Sequence, residues 1–394
     1  MAATDRGDLT RTAILALLGT GGPLSRTEIA RELDLSPATV TQLTRELMGH
    51  GMLEELDLKP SRGGRPAVRL GLVGGAGHAL GVKVTADHLV LVDVRLDGEV
   101  LGSWERPFDP SSADALDELA AAVESAVPGD GPPLLGVGVG VPGSVEDQAA
   151  GTVNAPTLGW QAMPVGERLR RRLRLPVLVE NDVNALAVAE RLYGRGRTHR
   201  DFLVVTIGRG VGAAIVADGR VYRGARGGAG EFGHLPVDPD GPMCGCGARG
   251  CLEAFVGSAG LLAAARAKSA GRVEAPLGQA AAAGDPAARA VFAEAGAILG
   301  RATAGLINVV DPEVVVVLGE GTADWPLWRD GFEQALRAQL YPGRRDISVE
   351  VESWDDTSWA QGAAALVLAT PFDAAGAAGE QGRLVRARLI GATP

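Results

Sequence analysis

The chain has 394 residues, room for two or three domains, with 46% hydrophobic residues, 4% aromatics and a formal net charge of −10. No apolar run reaches eighteen residues, and the first residues lack the charged-then-apolar pattern of an export signal, so a cytoplasmic protein without a membrane span is predicted. All three cysteines fall within eight positions, a usage that suits a metal rather than a disulfide frame.

Residues 1–75 balance nine basic against nine acidic side chains, so the negative charge lies wholly in the remainder. Within this stretch Ile14, Leu15, Leu17 and Leu18 make a short apolar helix face that is expected to end at Gly19-Thr-Gly-Gly-Pro23. Ser25 followed three residues later by Glu28 is a capping box that opens a second helix through Leu33. After a turn at Asp34-Leu35, Ser36-Pro37 supplies the N-cap serine and first-turn proline of a third helix. Val40, Leu43 and Leu47 share one face of it, and Ala38, Thr39, Gln42 and Arg45 lie off that face. Helix, tight turn and helix make the helix-turn-helix arrangement, whose second helix enters a major groove by its N-terminal turns. Gln42 suits adenine and Arg45 a phosphate or guanine. Ser36, Ala38 and Thr39 stand at the same end. Two alternating runs, Met52–Leu58 and Ala67–Leu72, flank Lys59-Pro-Ser-Arg62-Gly-Gly64-Arg65-Pro66 and read as a wing whose arginines reach a minor groove. A small bundle for protein contact is the plainer alternative.

Gly71–Gly77 reads as a hinge, so a DNA-binding domain over 1–75 and a larger domain over 76–394 are expected. The larger domain opens with the runs Leu80–Val84, Leu89–Arg95 and Glu99–Trp104, with Asp97-Gly98 as a hairpin turn. A helix over Ala113–Val127 precedes a buried strand, Leu134–Val141. Strand Val177–Val179 runs into Glu180-Asn181-Asp182 and a helix over Ala185–Tyr193. Polar residues at the carboxyl end of a buried strand are where α/β folds place ligand chemistry, which makes Asp182 a candidate base or hydroxyl acceptor. Its plainer role is an aspartate stabilised by a helix N-terminus. Strand Phe202–Ile207 leads into Gly208-Arg-Gly-Val-Gly212, followed by strand, turn and strand rather than the helix a dinucleotide fold requires. Helix Ala293–Val309, strand Val314–Leu318 and an Ala-rich helix around Trp359–Thr370 follow, and no function is legible in the tail.

The stretch Gly227–Glu253 holds His234, Cys244, Cys246 and Cys251 on one Gly-rich loop, bracketed by Glu231 and Glu253. Three cysteines and a histidine close a tetrahedron and suit structural zinc, which fixes a loop too poor in apolar residues to fix itself. The Cys-x-Cys spacing alone leaves open three reduced thiols beside an unrelated histidine.

Gly230-Glu-Phe-Gly-His234 followed by Cys244-Gly-Cys246-Gly-Ala-Arg-Gly-Cys251-Leu-Glu253 resembles the signature of the ROK family, which comprises sugar kinases and sugar-responsive repressors. The resemblance covers nearly the whole chain, and the fused winged helix resembles the repressor branch. It implies an actin-like fold, two α/β lobes of duplicated ribonuclease H-like type, behind an N-terminal winged helix-turn-helix, with the loop 231–253 in the larger lobe. It implies structural zinc on His234, Cys244, Cys246 and Cys251, and sugar hydroxyls bound by the residues matching Asn181, Asp182, Glu231, His234 and Glu253. The histidine would give one ring nitrogen to zinc and the other to the sugar. Asp182 matches the catalytic base of the kinases.

Three departures bear on activity. Where the kinases carry an Asp-x-Gly-Gly-Thr phosphate motif, this chain has Lys83-Val-Thr-Ala-Asp87, without the leading acid and both glycines. Arg209 replaces a small residue in the second phosphate loop, so ATP binding and kinase activity are not expected. Thr157 stands in Ala155-Pro-Thr157-Leu-Gly-Trp160 where the family usually has Asn-Leu-x-Trp, so it is a candidate effector contact of altered selectivity. The expected protein is a sugar-responsive regulator, a repressor, that binds operator DNA as a homodimer or homotetramer. In it, sugar closes the cleft between the lobes. The rival is an ATP-dependent sugar kinase carrying a regulatory DNA-binding domain.

Overall fold

Local capping builds the N-terminal helices. In the computed structural model, which describes residues 2–59, 67–127, 129, 131–269, 276–352, 355, 357–373 and 378–391, the Ser25 hydroxyl accepts from Glu28 N–H at 3.3 Å and the Glu28 carboxylate accepts from Ser25 N–H at 2.8 Å. This reciprocal cap opens helix Arg26–Glu32. Asp34 turns the chain with φ of 52°. The Ser36 hydroxyl then accepts from Thr39 N–H at 3.1 Å, and Pro37 begins helix Pro37–Gly49, which buries Val40, Leu43 and Leu47. Strands Leu53–Lys59 and Ala67–Leu72 pair antiparallel as a hairpin, and Leu24–Ser25 adds a short third strand. These are the helix-turn-helix and the wing.

Two compact units divide the chain, 1–197 with 357–394, and 198–356. In the first, a five-stranded sheet runs Val177–Asn181, Leu134–Val141, His78–Val84, His88–Arg95, Val100–Pro107. Its first three neighbours pair parallel and its last three form an antiparallel meander. In the second unit, Ser348–Val351, Val314–Leu318, Phe202–Ile207, Val211–Ala217 and Arg220–Val221 repeat that order and those senses. The same topology twice in one chain is the duplicated, actin-like α/β architecture expected from the sequence.

Helix Ser358–Leu368 lies directly on the first sheet because Gly81 and Gly138 have no side chain. A Cβ at either glycine would collide with the carbonyl of Ala360 or Ala363. In the second unit the apolar helix Pro286–Val310 is long enough to cross a membrane. It instead buries Val291, Phe292, Leu299 and Ile307 within the unit, where Phe292 meets Trp328 of helix Trp325–Gln339 edge-to-face at 5.5 Å.

The stretch Gly71–Gly77, expected as a hinge, is only partly connector: Gly71 and Leu72 belong to the wing strand, and a 3-10 turn, Gly74–Ala76, leads within two residues into the first sheet. The first helix runs Ala2–Gly21 and so ends within the Gly19–Pro23 stretch expected to stop it, with Gly19 against the Phe372 ring. By packing, the N-terminal helices group with the first sheet. Ile14, Leu15, Leu18, Ile29 and Leu70 share one apolar core with Val92, Leu366, Phe372 and Leu389. The winged helix is thus grouped with the first unit, and the cysteine loop lies in the second. The tail, in which no function was legible, contains helix Gly379–Leu389, whose Gln381 side chain accepts from Val177 N–H at 3.3 Å.

Candidate functional site

On the first unit, the polar residues follow the parallel strand Val177–Asn181. Asn181 is the N-cap of helix Asp182–Tyr193: its Oδ1 accepts from Val183 N–H at 2.9 Å and Asn184 N–H at 3.1 Å, and its Nδ2 donates to Gly143 O at 2.9 Å. The helix starts three residues before the sequence placed it, since this cap reaches back to the strand end. Asp182 is its first residue, 8% exposed, and its Oδ1 accepts from Val183 N–H at 2.9 Å. Its Oδ2 is ion-paired with the Lys83 ammonium, itself 8% exposed and 4.6 Å from the centroid of the Trp359 ring. Two buried charges are tolerable here because each neutralises the other. Behind them Glu180, 1% exposed, accepts from Gln148 Nε2 at 2.7 Å and Asn181 N–H at 2.8 Å. Thr157 is exposed on the 3-10 turn Pro156–Leu158, and Trp160 beside it is buried with its Nε1 donating to Pro110 O at 2.9 Å.

Sequence reasoning read Lys83 only as a lost acid. It missed that a lysine inside the wholly buried strand His78–Val84 demands a carboxylate partner, and so missed the pairing with Asp182 and the cover from Trp359.

On the second unit, Glu231 precedes the 3-10 turn Phe232–His234, which buries Phe232 and leaves Glu231 and His234 exposed. His234 Nδ1 lies 3.6 Å from Cys244 Sγ, and Cys246 Sγ lies 3.8 Å from Cys251 Sγ. The donor atoms of all four residues fall within 4.8 Å of one another. A tetrahedral site with metal–sulfur bonds of about 2.3 Å and metal–nitrogen bonds of about 2.05 Å requires sulfur–sulfur and nitrogen–sulfur separations of roughly 3.8 and 3.6 Å. The cluster therefore fits a four-coordinate metal ion. The knuckle is shaped by Cys244 N–H donating to Ala248 O at 2.8 Å and Gly250 N–H donating to Pro242 O at 2.8 Å. Gly250 has φ of 71° and faces Asp238 O too closely for any Cβ. Burial, then the neighbouring thiols, push the Cys251 thiol up to about 12, and the Ala248 backbone lowers Cys246.

The other histidine nitrogen, Nε2, faces Glu231 Oε2 at 3.8 Å. Glu253 opens the short helix Glu253–Val256, and its Oε2 accepts from Val211 N–H at 3.0 Å. The structure thus brings His234 to the three cysteines and to Glu231. The acceptors are divided, Asn181 and Asp182 on the first unit and Glu231, His234 and Glu253 on the second.

On helix Pro37–Gly49, Ser36, Ala38, Thr39, Gln42 and Arg45 are all exposed. Ser36 and Thr39 share a hydroxyl contact of 2.8 Å, and Gln42 Nε2 donates to Glu46 Oε1 at 3.1 Å. Glu46 also pairs with Arg11 Nη2 at 2.9 Å, which holds its carboxyl below the usual range. Arg26 links the bundle to the wing strand through Glu55 at 3.1 Å. Arg62, Gly64 and Arg65 lie outside the described residues.

Residues 79–370 match the model of the ROK family, and residues 12–57 match that of the IclR helix-turn-helix domain. The chain is 30% identical over 373 residues to the DNA-binding transcriptional dual regulator NagC of Escherichia coli, covering 91% of this chain and 92% of that one. It is 29% identical over 371 residues to the xylose repressor of Caldicellulosiruptor bescii, covering 88% and 92%. Among solved structures, a ROK family transcriptional regulator described as a homolog of the E. coli MLC protein matches with a TM-score of 0.83, 28% identity and coverage of 98% of this chain and 100% of that one. A ROK glucokinase from Streptomyces griseus, in complex with glucose and AMPPNP, matches 74% of this chain and 99% of its own length with a TM-score of 0.66 and 30% identity. With its family signature, duplicated sheets and N-terminal reading head, the chain belongs to the ROK family.

Proposed function

We propose that the chain is a sugar-responsive transcription regulator, a repressor, that binds operator DNA through helix Pro37–Gly49 and a sugar effector through the hydroxyl acceptors of its ROK domain. The pairing of Lys83 with Asp182 carries the reading. A phosphoryl-transfer site needs its carboxylate open to the substrate hydroxyl and an acid for the metal nucleotide. Here a buried ammonium stands against that carboxylate, while the reading face of the helix-turn-helix is open to solvent. Hydroxyl recognition survives the pairing: a carboxylate has about four acceptor positions, so Asp182 retains sites beyond those given to Lys83 and Val183. Thr157 offers one hydroxyl toward selectivity. The repressor names of the relatives support the same reading.

Zinc fits the four donors on the cysteine loop and would act structurally, since Cys3His fills every position of the tetrahedron. His234 would then present Nε2, beside Glu231, to a sugar hydroxyl. The functional division is residues 1–75 for DNA and 76–394 for effector. A homodimer or homotetramer would place helices in adjacent major grooves, about 34–36 Å apart for half-sites one turn apart. Sugar releases DNA by binding one of two conformational states more tightly.

The test is a gel-shift titration of the protein on its own upstream DNA across a panel of free sugars without ATP. Release by one sugar establishes the regulator and identifies its effector, and no shift at any protein concentration overturns it. Asp182→Ala and Glu253→Ala are expected to lose sugar release with operator affinity kept. Loss of operator binding in both would refute that separation of roles. A second reading, a sugar kinase with a regulatory DNA-binding domain, is favoured by the match to the glucokinase. Sugar-dependent ADP formation from ATP would establish it.

A further inference from the structure

The turn after strand Phe202–Ile207 is filled from within its own unit. Arg209 N–H donates to Glu320 Oε1 at 2.9 Å, and Val211 N–H donates to Glu253 Oε2 at 3.0 Å. The two carboxylates arrive from separate elements: Glu320 opens the 3-10 turn Glu320–Asp324 after strand Val314–Leu318, and Glu253 opens the helix that ends the cysteine loop. Both approach because Gly208 and Gly210 carry no side chain. A Cβ at Gly208 would collide with the Glu320 carboxylate, and one at Gly210 would stand 2.7 Å from Glu253 Oε2. The far side of the turn is tied down by Ser258, whose N–H and hydroxyl donate to Gly208 O at 2.9 and 2.8 Å.

Two like charges do not converge on one five-residue turn unless the turn attracts anions. The backbone N–H groups of Arg209 and Val211 do that, and an N–H donates to a carboxylate oxygen or a phosphate oxygen alike. Glu320 and Arg209 are exposed, so this occupant is a tethered ligand in contact with solvent rather than part of the core.

We propose that Gly208–Gly212 is an oxyanion receptor whose anion is supplied in cis by Glu320, and that this contact closes the turn to phosphate and phosphate esters. The carboxylate is held at high effective concentration by its short tether, and a phosphate would have to displace it while facing Glu253 as well. This deepens the regulator reading and rests on it only for its consequence, that the protein responds to effector without engaging nucleotide. Its chemistry is tested independently of DNA.

The experiment is isothermal titration of the full chain with inorganic pyrophosphate, comparing wild type, Glu320→Ala and Glu320→Gln. Alanine frees Arg209 N–H and removes a charge, and glutamine keeps an acceptor without the charge. Pyrophosphate is expected to bind Glu320→Ala at least about tenfold more tightly than wild type, with Glu320→Gln between them, for one displaced charge-assisted hydrogen bond. Equal affinity in wild type and Glu320→Ala overturns the proposal. So does absence of binding in both variants when their circular dichroism and metal content match wild type. Operator release by sugar, followed on the same proteins, is expected to persist in Glu320→Ala. Its loss from wild type as well would count against the regulator reading and leave the pyrophosphate result standing.

Discussion

Lys83 and Asp182 each make the other's burial tolerable. Both are nearly inaccessible and they meet directly, with the Trp359 ring against the ammonium. Removing one partner leaves an uncompensated buried charge, so Lys83→Met is expected to cost about 3–5 kcal/mol. Lys83→Met combined with Asp182→Asn removes both charges and is expected to recover most of that loss. Urea denaturation of the single and double variants measures it, and a double variant no more stable than the single one would show that the pair is not what holds the two side chains there. Arg45 is a residue of the opposite kind, exposed on helix Pro37–Gly49. Arg45→Ala is expected to leave stability within about 0.5 kcal/mol. If Arg45 contacts phosphate, operator binding weakens uniformly across sequences and the salt slope falls by about one. If it reads guanine, the loss of about 1–3 kcal/mol is confined to one base position.

At the scale of elements, caps and metal ligands do what apolar packing does elsewhere. Helix Pro37–Gly49 depends on the Ser36 hydroxyl for its first-turn N–H, so Ser36→Ala is expected to cost about 1 kcal/mol of stability and to weaken operator binding by misplacing Thr39 and Gln42. Ser36→Asn restores the cap without adding a charge, and a full recovery of stability with DNA affinity still low would place the serine hydroxyl itself on DNA. The cysteine loop buries few apolar side chains, and its bridges Pro236–Cys251 and Met243–Arg249 are isolated. One zinc per chain is expected by atomic absorption, and Cys251→Ser is expected to lower that content sharply. Loss of metal is expected to abolish sugar release before operator binding, because Glu231, His234 and Glu253 all hang on the loop and the reading helix belongs to the other unit. Simultaneous loss of both would instead mark metal as a condition for the whole fold.

At the scale of the molecule, the winged helix is not an independent module on a linker. Its helix Ala2–Gly21 packs Gly19 against Phe372, and its apolar side chains continue the core of the first sheet. A single cooperative transition is expected for the bundle and the first unit. Phe372→Ala is expected to lower it by about 3–5 kcal/mol and to shift helices Arg26–Glu32 and Pro37–Gly49 with it. Calorimetry and a fluorophore on helix Pro37–Gly49 check this, and a separate early melt of residues 1–75 would contradict the shared core. The shared core gives a contiguous packed route from the first sheet to the reading head.

Much of this was legible in the chain. Strands Leu134–Val141, Phe202–Ile207 and Val314–Leu318 fall where their apolar runs lie, because a strand buried on both faces reads as a nearly continuous apolar run. The capping box at Ser25 and Glu28 and the cap at Ser36 were equally visible, since a cap is settled within four residues. The clustering of His234 with three cysteines came from ligand types on one short loop, where few geometries exist. What the sequence determined by itself is therefore local: caps, buried strands, the ligand loop and the family they mark. Tertiary structure alone decided the partners across long separations. Lys83 meets Asp182 across ninety-nine positions, Glu320 meets Arg209 across one hundred and eleven, and Gly19 meets Phe372 near the other end of the chain. Those contacts depend on how whole sheets and helices stack, and sequence periodicity carries the face a residue occupies, not which distant face it will meet.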